Sequence, residues 1–242
     1  MRIAILSDVH SNLEALRAVL ASAKREGVDE YLCLGDIVGY GANPNECVSI
    51  IGDLTGKIVA GNHDHGVCEL TSIEYFNAAA QKAIEWSRRE MLKKHKDTLK
   101  ALPLIMEHDD TLFVHATPSF PDSWNYIFSM NDAMREFGFF ENQLCFVGHT
   151  HQPLAFSLTN ENEIGTSMDE SFNLSPHKRY IINAGSVGQP RDGDSRASYI
   201  IFDDKPQTVS FRRVPYDIVS CQEKILNAGL PPFLAQRLEV GR

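Results

Sequence analysis

The sequence predicts an α/β fold, and three observations predict it. The chain opens strand, helix, strand, the pattern of a parallel unit with a right-handed crossover. Its apolar runs are short and continuous, as in strands buried on both faces. Five of those runs end on Asp, Asn or His, and open α/β sheets collect ligands beyond the carboxyl ends of their strands.

The first strand is Ile3 to Leu6, with Ser7 to Asn12 as the loop beyond it. Leu13, Leu16, Val19 and Leu20 then repeat at helical spacing, with Asn12 placed to cap the helix and Gly27 just past its end. Tyr31 to Leu34 is a second strand. Gly35 to Asn45 is a glycine-rich loop without the Gly-Lys-Ser/Thr of a P-loop, so it reads as a loop that approaches a site closely. Pro44 to Ile51 is a short helix and Lys57 to Ala60 a third strand, where Gly61 lets the chain turn sharply.

Ser72 to Leu102 reads as one long helical stretch, a helical excursion whose basic later half is a solvated face. The runs flanking Asp109-Asp110 predict a hairpin with a two-residue turn. Asn131 to Phe137 is helical, and Leu144 to Val147 and Leu154 to Leu158 are strands. Thr159 to Pro176 is polar and unpatterned, a flexible insertion. Strands at Tyr180–Ile182, Ser198–Phe202 and Thr208–Val214 follow, and helices around 218–228 and 233–238 close the chain. No linker divides residues 1–242, so the expectation is a single domain.

Composition narrows the function. Hydrophobic residues are 43% and charged residues 23%, which excludes a disordered chain. A net charge of -9 lacks the basic footprint that long nucleic acid requires. The five cysteines are odd in number and show no Cys-x-x-Cys spacing, which fits a reducing compartment. There is no signal-peptide pattern before Ser7-Asp8 and no bilayer-spanning run, so the expected location is the cytoplasm, away from any membrane.

The strand ends carry Asp8-Val9-His10, Gly35-Asp36, Gly61-Asn62-His63-Asp64, His115 and Gly148-His149-Thr150-His151. In extended backbone, residues two apart share a side, which would aim Asp8 with His10 and His149 with His151 into one cluster. Seven ligands are too many for one tetrahedral ion and too rich in imidazole for a calcium cage. They suit two neighbouring divalent ions, and mixed imidazole and carboxylate ligation favours manganese, iron, zinc, cobalt or nickel over magnesium. Manganese is the leading expectation.

These motifs, in this order over residues 8–151, resemble the full series of the calcineurin-like metallophosphoesterases. Asn183-Ala184-Gly185-Ser186 resembles their small bacterial and archaeal branch. The resemblance implies a four-layer αββα sandwich, two mixed sheets packed face to face with helices outside. It implies one metal held by Asp8, His10 and His151, a second by Asn62, His115 and His149, and Asp36 bridging. It further implies hydrolysis of a phosphoric ester by a metal-activated hydroxide.

His63 is then the candidate to protonate the leaving oxygen or to grip the phosphoryl group, with Asp64 fixing its tautomer. Arg191 is a candidate phosphate clamp and Asn12 a candidate substrate contact, beside their plainer readings as turn arginine and helix cap. His65, His95, His108 and His177 complete no motif and are read as structural or surface residues. Trp124, Tyr126 and Phe128 are read as packing rather than a base platform.

The expected substrate is small and phosphorylated, a phosphodiester or nucleotide, with a dinucleoside polyphosphate among the options. A phosphomonoester or phosphoprotein comes second. The related protein phosphatases carry Gly-Asn-His-Glu where this chain has Gly-Asn-His-Asp. A metal-stabilised interaction scaffold without turnover is the alternative from another class.

Overall fold

The computed structural model describes residues 1–242. β1 (Arg2–Leu6), α1 (Leu13–Arg25) and β2 (Glu30–Cys33) form the expected parallel unit, with Leu6 opposite Cys33. α2 (Pro44–Leu54) and α3 (Asn62–Val67) follow. The extended segment at Lys57–Ala60 makes only one bridging pair, Cys33 with Ile58, and is no full strand. It leaves β2 early because the Ala60 amide donates to Pro103.

The stretch from Ser72 to Leu102 is two helices, α4 (Ala78–Glu90) and α5 (Lys93–Lys100). No Gly or Pro marks the break. Met91 and Leu92 are extended, with ψ of 135° and 143°. Asn45 of α2 accepts from the Leu92 amide at 2.8 Å and donates to the Glu90 carbonyl at 3.0 Å. A side chain from another helix thus caps both ends at the junction, a tertiary interaction that local sequence does not announce.

β3 (Ile105–His108) and β4 (Thr111–Val114) form the predicted hairpin, with Asp109 and Asp110 both left-handed. Next come α6 (Met130–Glu136), β5 (Leu144–Val147) and β6 (Leu154–Thr159). The segment expected as a flexible insertion holds β7 (Ile164–Ser167) and β8 (Ser171–Asn173). These are polar edge strands: β7 pairs with β6, and β8 joins the other sheet. β9 (Lys178–Asn183), β10 (Ala197–Asp203), β11 (Thr208–Val214), α7 (Ile218–Asn227) and α8 (Pro232–Val240) complete the chain.

One sheet has the order β2-β1-β10-β11-β8, the other β3-β4-β5-β9-β6-β7, and both are mixed. Period-2 alternation sorts their side chains into layers. Ile5, Ile200 and Phe202 of the first sheet meet Phe113, Phe146 and Ile182 of the second between the sheets. Ala4, Leu6, Tyr199 and Ile201 face outward against Leu16 and Val19 of α1. Cys145, Val147 and Ile181 face outward on the other side, over Ala133 of α6 and Phe137. The order is helix, sheet, sheet, helix. β1 and β2 run parallel, as do β4 and β5. Their carboxyl ends therefore deliver Asp8, Asp36, His115 and His149 to one rim.

Asn12 joins this rim to α1. Its Oδ1 accepts from the Ala15 amide at 3.0 Å and its Nδ2 donates to the Gly188 carbonyl at 2.9 Å. Replacing it by Ala removes a cap and a cross-chain bond, and about 1–3 kcal/mol of stability should go with them. Urea unfolding of Asn12→Ala checks this. A midpoint indistinguishable from wild type would contradict both roles.

Candidate metal centre

Three clusters of ligand types sit at the rim: Asp8 with His10 and His151, His10 with Asp36 and His63, and Asp36 with His115 and His149. Asp8 and Asp36 are essentially sealed from water, at 0% and 1% exposure. A carboxylate in such a place is strongly destabilised unless it is paired. Asp8 Oδ2 accepts from Ser7 Oγ at 2.6 Å and from the His149 amide at 3.1 Å. Asp36 Oδ1 accepts from the His63 amide at 2.8 Å.

The other carboxylate oxygens face imidazoles. Asp8 Oδ1 lies 3.1 Å from His151 Nε2 and 3.7 Å from His10 Nε2. Asp36 Oδ2 lies 3.3 Å from His115 Nε2 and 3.6 Å from His10 Nε2.

The far nitrogen of each imidazole is tied to a backbone carbonyl. Nδ1 of His10 donates to Val38 at 3.0 Å, that of His115 to Leu34 at 2.7 Å, and that of His151 to Gln189 at 2.5 Å. His149 uses its Nε2 instead, donating to Trp124 at 2.9 Å. This is the outer hydrogen bonding that fixes the tautomer of a metal-binding histidine and frees the other nitrogen as a ligand. With Nδ1 protonated in both, Nε2 of His10 and Nε2 of His151 bring lone pairs to 3.1 Å from each other. Asp8 Oδ1, Asn62 Oδ1 and His115 Nε2 are buried without a hydrogen-bond partner. With His115 neutral, its Nε2 and Asp8 Oδ1 are two acceptors 4.0 Å apart, an arrangement that a proton or a bound cation relieves.

Electrostatics agree. Burial pushes the Asp8 and Asp36 carboxyls up, but the neighbouring imidazoles, His151 for Asp8 and His115 for Asp36, outweigh it and hold both below the usual range. Burial pulls His115 down, yet Asp36 and then Asp8 carry it up to about 9. Burial takes His149 down to about 3 and His63 to about 4. A proton on His115 thus balances part of the buried negative charge, and a bound cation would displace it.

The local backbone is not the extended one expected from the two-residue spacings. Asp8, His10, Asp36, His149 and His151 all lie at positive φ, between 48° and 67°. Left-handed turns, not a strand's alternation, bring each pair together. Non-glycine residues pay on the order of 1–3 kcal/mol each for this conformation, which persists only where surrounding bonds over-determine it. Asn183 and Ser186 supply such bonds. Asn183 Nδ2 donates to Thr150 Oγ1 at 3.0 Å, and Ser186 Oγ donates to the Asp8 carbonyl at 2.8 Å. Asn62, expected in a loop, instead opens α3, and Gly61 before it is at φ -104°. Gly61 serves close approach, since a Cβ there would collide with Asp36.

Two sequence expectations need correction. Asp64 does not hold the His63 ring. Its Oδ1 accepts from the Ile37 and Val38 amides at 3.0 and 3.2 Å, and its Oδ2 from Gly61 at 3.0 Å. It ties the loop after β2 to the start of α3, while His63 Nδ1 has no partner. Burial, then the charge of Asp36, push the Asp64 carboxyl up to about 7. Asn12 makes no wall of the cavity described next, because both ends of its amide are used in the fold.

The cavity above the cluster has a volume of about 590 Å³. Asp36, Asn62, His63, His149 and His151 face it, and Arg191 and Tyr40 close one side. One stretch of wall is Thr71, Ser72, Tyr75, Phe76 and Asn77, from the segment before α4, and another is Asp122 to Trp124 with Tyr126. Neither α4, α5 nor the 159–176 segment lines the cavity. Tyr126 stacks on His149 and on Phe128, at 4.1 and 5.0 Å, but Trp124 and Tyr126 also line the cavity, so packing is only part of their role. His95 is structural, bonded to Asn45 at 2.9 Å. Sequence reading missed Tyr40 and the 71–77 wall, and took Trp124 and Tyr126 for packing alone. The flanking Gly39 and Gly41 were the one available signal for Tyr40.

A family profile described as the calcineurin-like phosphoesterase superfamily domain matches residues 1–206. The chain belongs to that superfamily. It is a metal-dependent phosphoric ester hydrolase, and the family and the buried clusters together point to divalent metal binding. It is 45% identical over 246 positions to an uncharacterized protein of Methanocaldococcus jannaschii, covering 99% of this chain and 98% of that one. The crystal structure of a metallophosphoesterase from Sphaerobacter thermophilus is 43% identical, with a TM-score of 0.88 over 100% of this chain and 99% of that one. A hypothetical protein from Pyrococcus horikoshii shares the fold at 19% identity, with a TM-score of 0.80 over 100% and 98% of the two chains. No helix is long and apolar enough to cross a membrane.

Asp64→Asn tests the correction. An amide nitrogen would face a backbone N–H and leave a buried donor unsatisfied, a loss of about 1–3 kcal/mol. Thermal unfolding of the purified variant should show that loss. Unchanged stability with a selective fall in kcat would restore the role of Asp64 on His63.

Proposed function

We propose that the chain hydrolyses a small phosphodiester or nucleotide at a two-ion centre. Asp8, His10 and His151 would hold one ion and Asn62, His115 and His149 the other, with Asp36 shared. The carrying observation is that three clusters of Asp and His ligand atoms, each within 4.8 Å, meet at Asp8 and Asp36, with His10, His115, His149 and His151 each oriented by a carbonyl. Manganese remains the leading ion on ligand chemistry. Bound there, such ions supply Lewis acidity, lowering the pKa of water and neutralising phosphoryl charge.

The chain's own residues do the rest. His63 lines the cavity, and its Nδ1 abuts Gly39, so Nε2 is the atom that serves the leaving oxygen with a proton. An arriving phosphoryl anion raises the affinity of His63 for that proton, opposing the effect of burial. Arg191 is the cavity's one cationic side chain and clamps the phosphoryl group. A single arginine, with Asp122 on the wall, suits one phosphoryl group better than a polyphosphate. Two walls and about 590 Å³ leave room for substituents on both ester oxygens, which favours a diester over a monoester. Because β10 pairs with β1 and the site draws on residues 8 to 191, we take residues 1–242 as one catalytic domain.

The direct test is hydrolysis of p-nitrophenyl phosphate and its bis-ester by chelator-stripped protein, each metal restored singly. Turnover should return with manganese more than with magnesium, and the bis-ester should turn over faster. A faster monoester would select the phosphomonoesterase. Folded, metal-loaded protein inert to both esters would contradict the proposal. On an alkyl ester, whose leaving oxygen needs a proton, His63→Ala should lower kcat by about 10²–10⁴-fold with metal content unchanged. Wild-type turnover of the alkyl ester in that variant would remove His63 from the chemistry.

A further inference from the structure

We infer that Tyr40 is a positioning residue with two separable jobs: its ring clamps His63, and its hydroxyl aims Arg191. The inference rests on the role proposed above for His63 and adds what holds that side chain in place.

His63 has an unusual problem. It is 2% exposed, and its Nδ1 is buried with no hydrogen-bond partner. The four other site imidazoles are each oriented by a backbone carbonyl. Nothing comparable aims His63, so shape must do it. Gly39, at φ 95°, presents no Cβ to the ring, and any Cβ there would overlap Nδ1. Tyr40 packs on the ring at 4.4 Å between centroids, Phe76 at 5.2 Å edge-on, and His10 at 4.8 Å. Three rings and a glycine enclose it.

Tyr40 itself is fixed. It is 5% exposed and lies at φ 57°, inside a loop held to His10 by three bonds, one of them from the His10 amide to the Asp36 carbonyl at 2.9 Å. Val38 accepts from His10 Nδ1, and the Gly41 amide donates to the His10 carbonyl at 3.0 Å. On its far side Tyr40 meets Arg191, whose guanidinium donates to the Tyr40 hydroxyl at 3.3 Å and to Gln189 Oε1 at 2.9 Å. The same guanidinium carbon lies 5.7 Å from the Tyr40 ring centroid. One side chain therefore touches the proposed proton donor and the proposed phosphate clamp.

The two jobs predict different kinetic signatures. A misplaced proton donor harms esters with poor leaving groups more than activated ones, because an activated leaving oxygen needs little protonation. A misaimed clamp harms binding of both alike. Tyr40→Phe keeps the ring and loses the hydroxyl. It should raise KM about 2–10-fold on either ester and leave kcat near wild type, the scale of one weak hydrogen bond. Tyr40→Leu removes the ring. Its kcat should fall about 10–100-fold on an alkyl ester and much less on the p-nitrophenyl ester. Phe76→Leu loosens the same ring at its edge-on contact, and it should show the same dependence more weakly.

These are steady-state measurements on manganese-loaded protein, with bound metal and unfolding temperature recorded for each variant. Should Tyr40→Leu not fold or load metal, Phe76→Leu and Tyr40→Phe still decide. Equal slowing of both esters in Tyr40→Leu and Phe76→Leu would overturn the clamp. Loss of kcat without change of KM in Tyr40→Phe would overturn the role of the hydroxyl. His63→Ala on the same two esters separates the failures. If it slows both alike, the role of His63 is wrong. If it shows the leaving-group signature and the ring variants do not, the inference about Tyr40 is wrong.

Discussion

Everything at this site depends on two carboxylates kept out of water. Asp8 and Asp36 sit just beyond the carboxyl ends of adjacent parallel strands and are sealed from water. Each has one oxygen satisfied by the chain's own donors and one left facing imidazole nitrogens. Ionised and buried, they are tolerable only beside positive charge. That requirement accounts for the ring of histidines and for the carbonyls that orient them. Asp8, His10, Asp36, His149 and His151 reach the cluster from left-handed backbone. Asn183 and Ser186 come from the strand end beyond β5 and bond the turns that carry His149 and Asp8, so the strain is held from outside the ligand set.

The strand ends were legible because apolar runs and chemistry-bearing residues meet there. β1, β2, β4 and β5 read directly from Ile, Leu, Val and Phe, and the helix cap at Asn12 from its position alone. What sequence left hidden depends on contacts between distant segments. The break at Met91-Leu92 is stabilised by Asn45 from another helix, with no Gly or Pro to announce it. β7 and β8 are edge strands whose polar sequences carry almost no alternation; their neighbours in the sheets make them strands. Asp64 sits beside His63 in the chain, which suggested a pair, but its oxygens face backbone amides 26 and 27 residues upstream.

The chemistry and the substrate wall have different origins. Metal-ligand types come from the strand ends, which the sandwich positions rigidly. The cavity walls come from 71–77 and 122–126, connecting segments without motif. Loops on a rigid scaffold are where specificity usually varies. The relatives at 45% and 43% identity span nearly the whole chain, so comparing those two segments among them is the route to substrate differences. Tyr40 lies between the two regions, packed on His10 below and bonded to Arg191 above.

The central claim is that the buried acceptors around Asp36 hold two divalent ions. Anomalous diffraction from crystals of the chelator-stripped protein reloaded with manganese tests it most directly. Two peaks should appear, one against Asp8, His10 and His151 and one against Asn62, His115 and His149, with Asp36 between them. A single peak, or manganese bound away from these residues while the site remains folded, would contradict it.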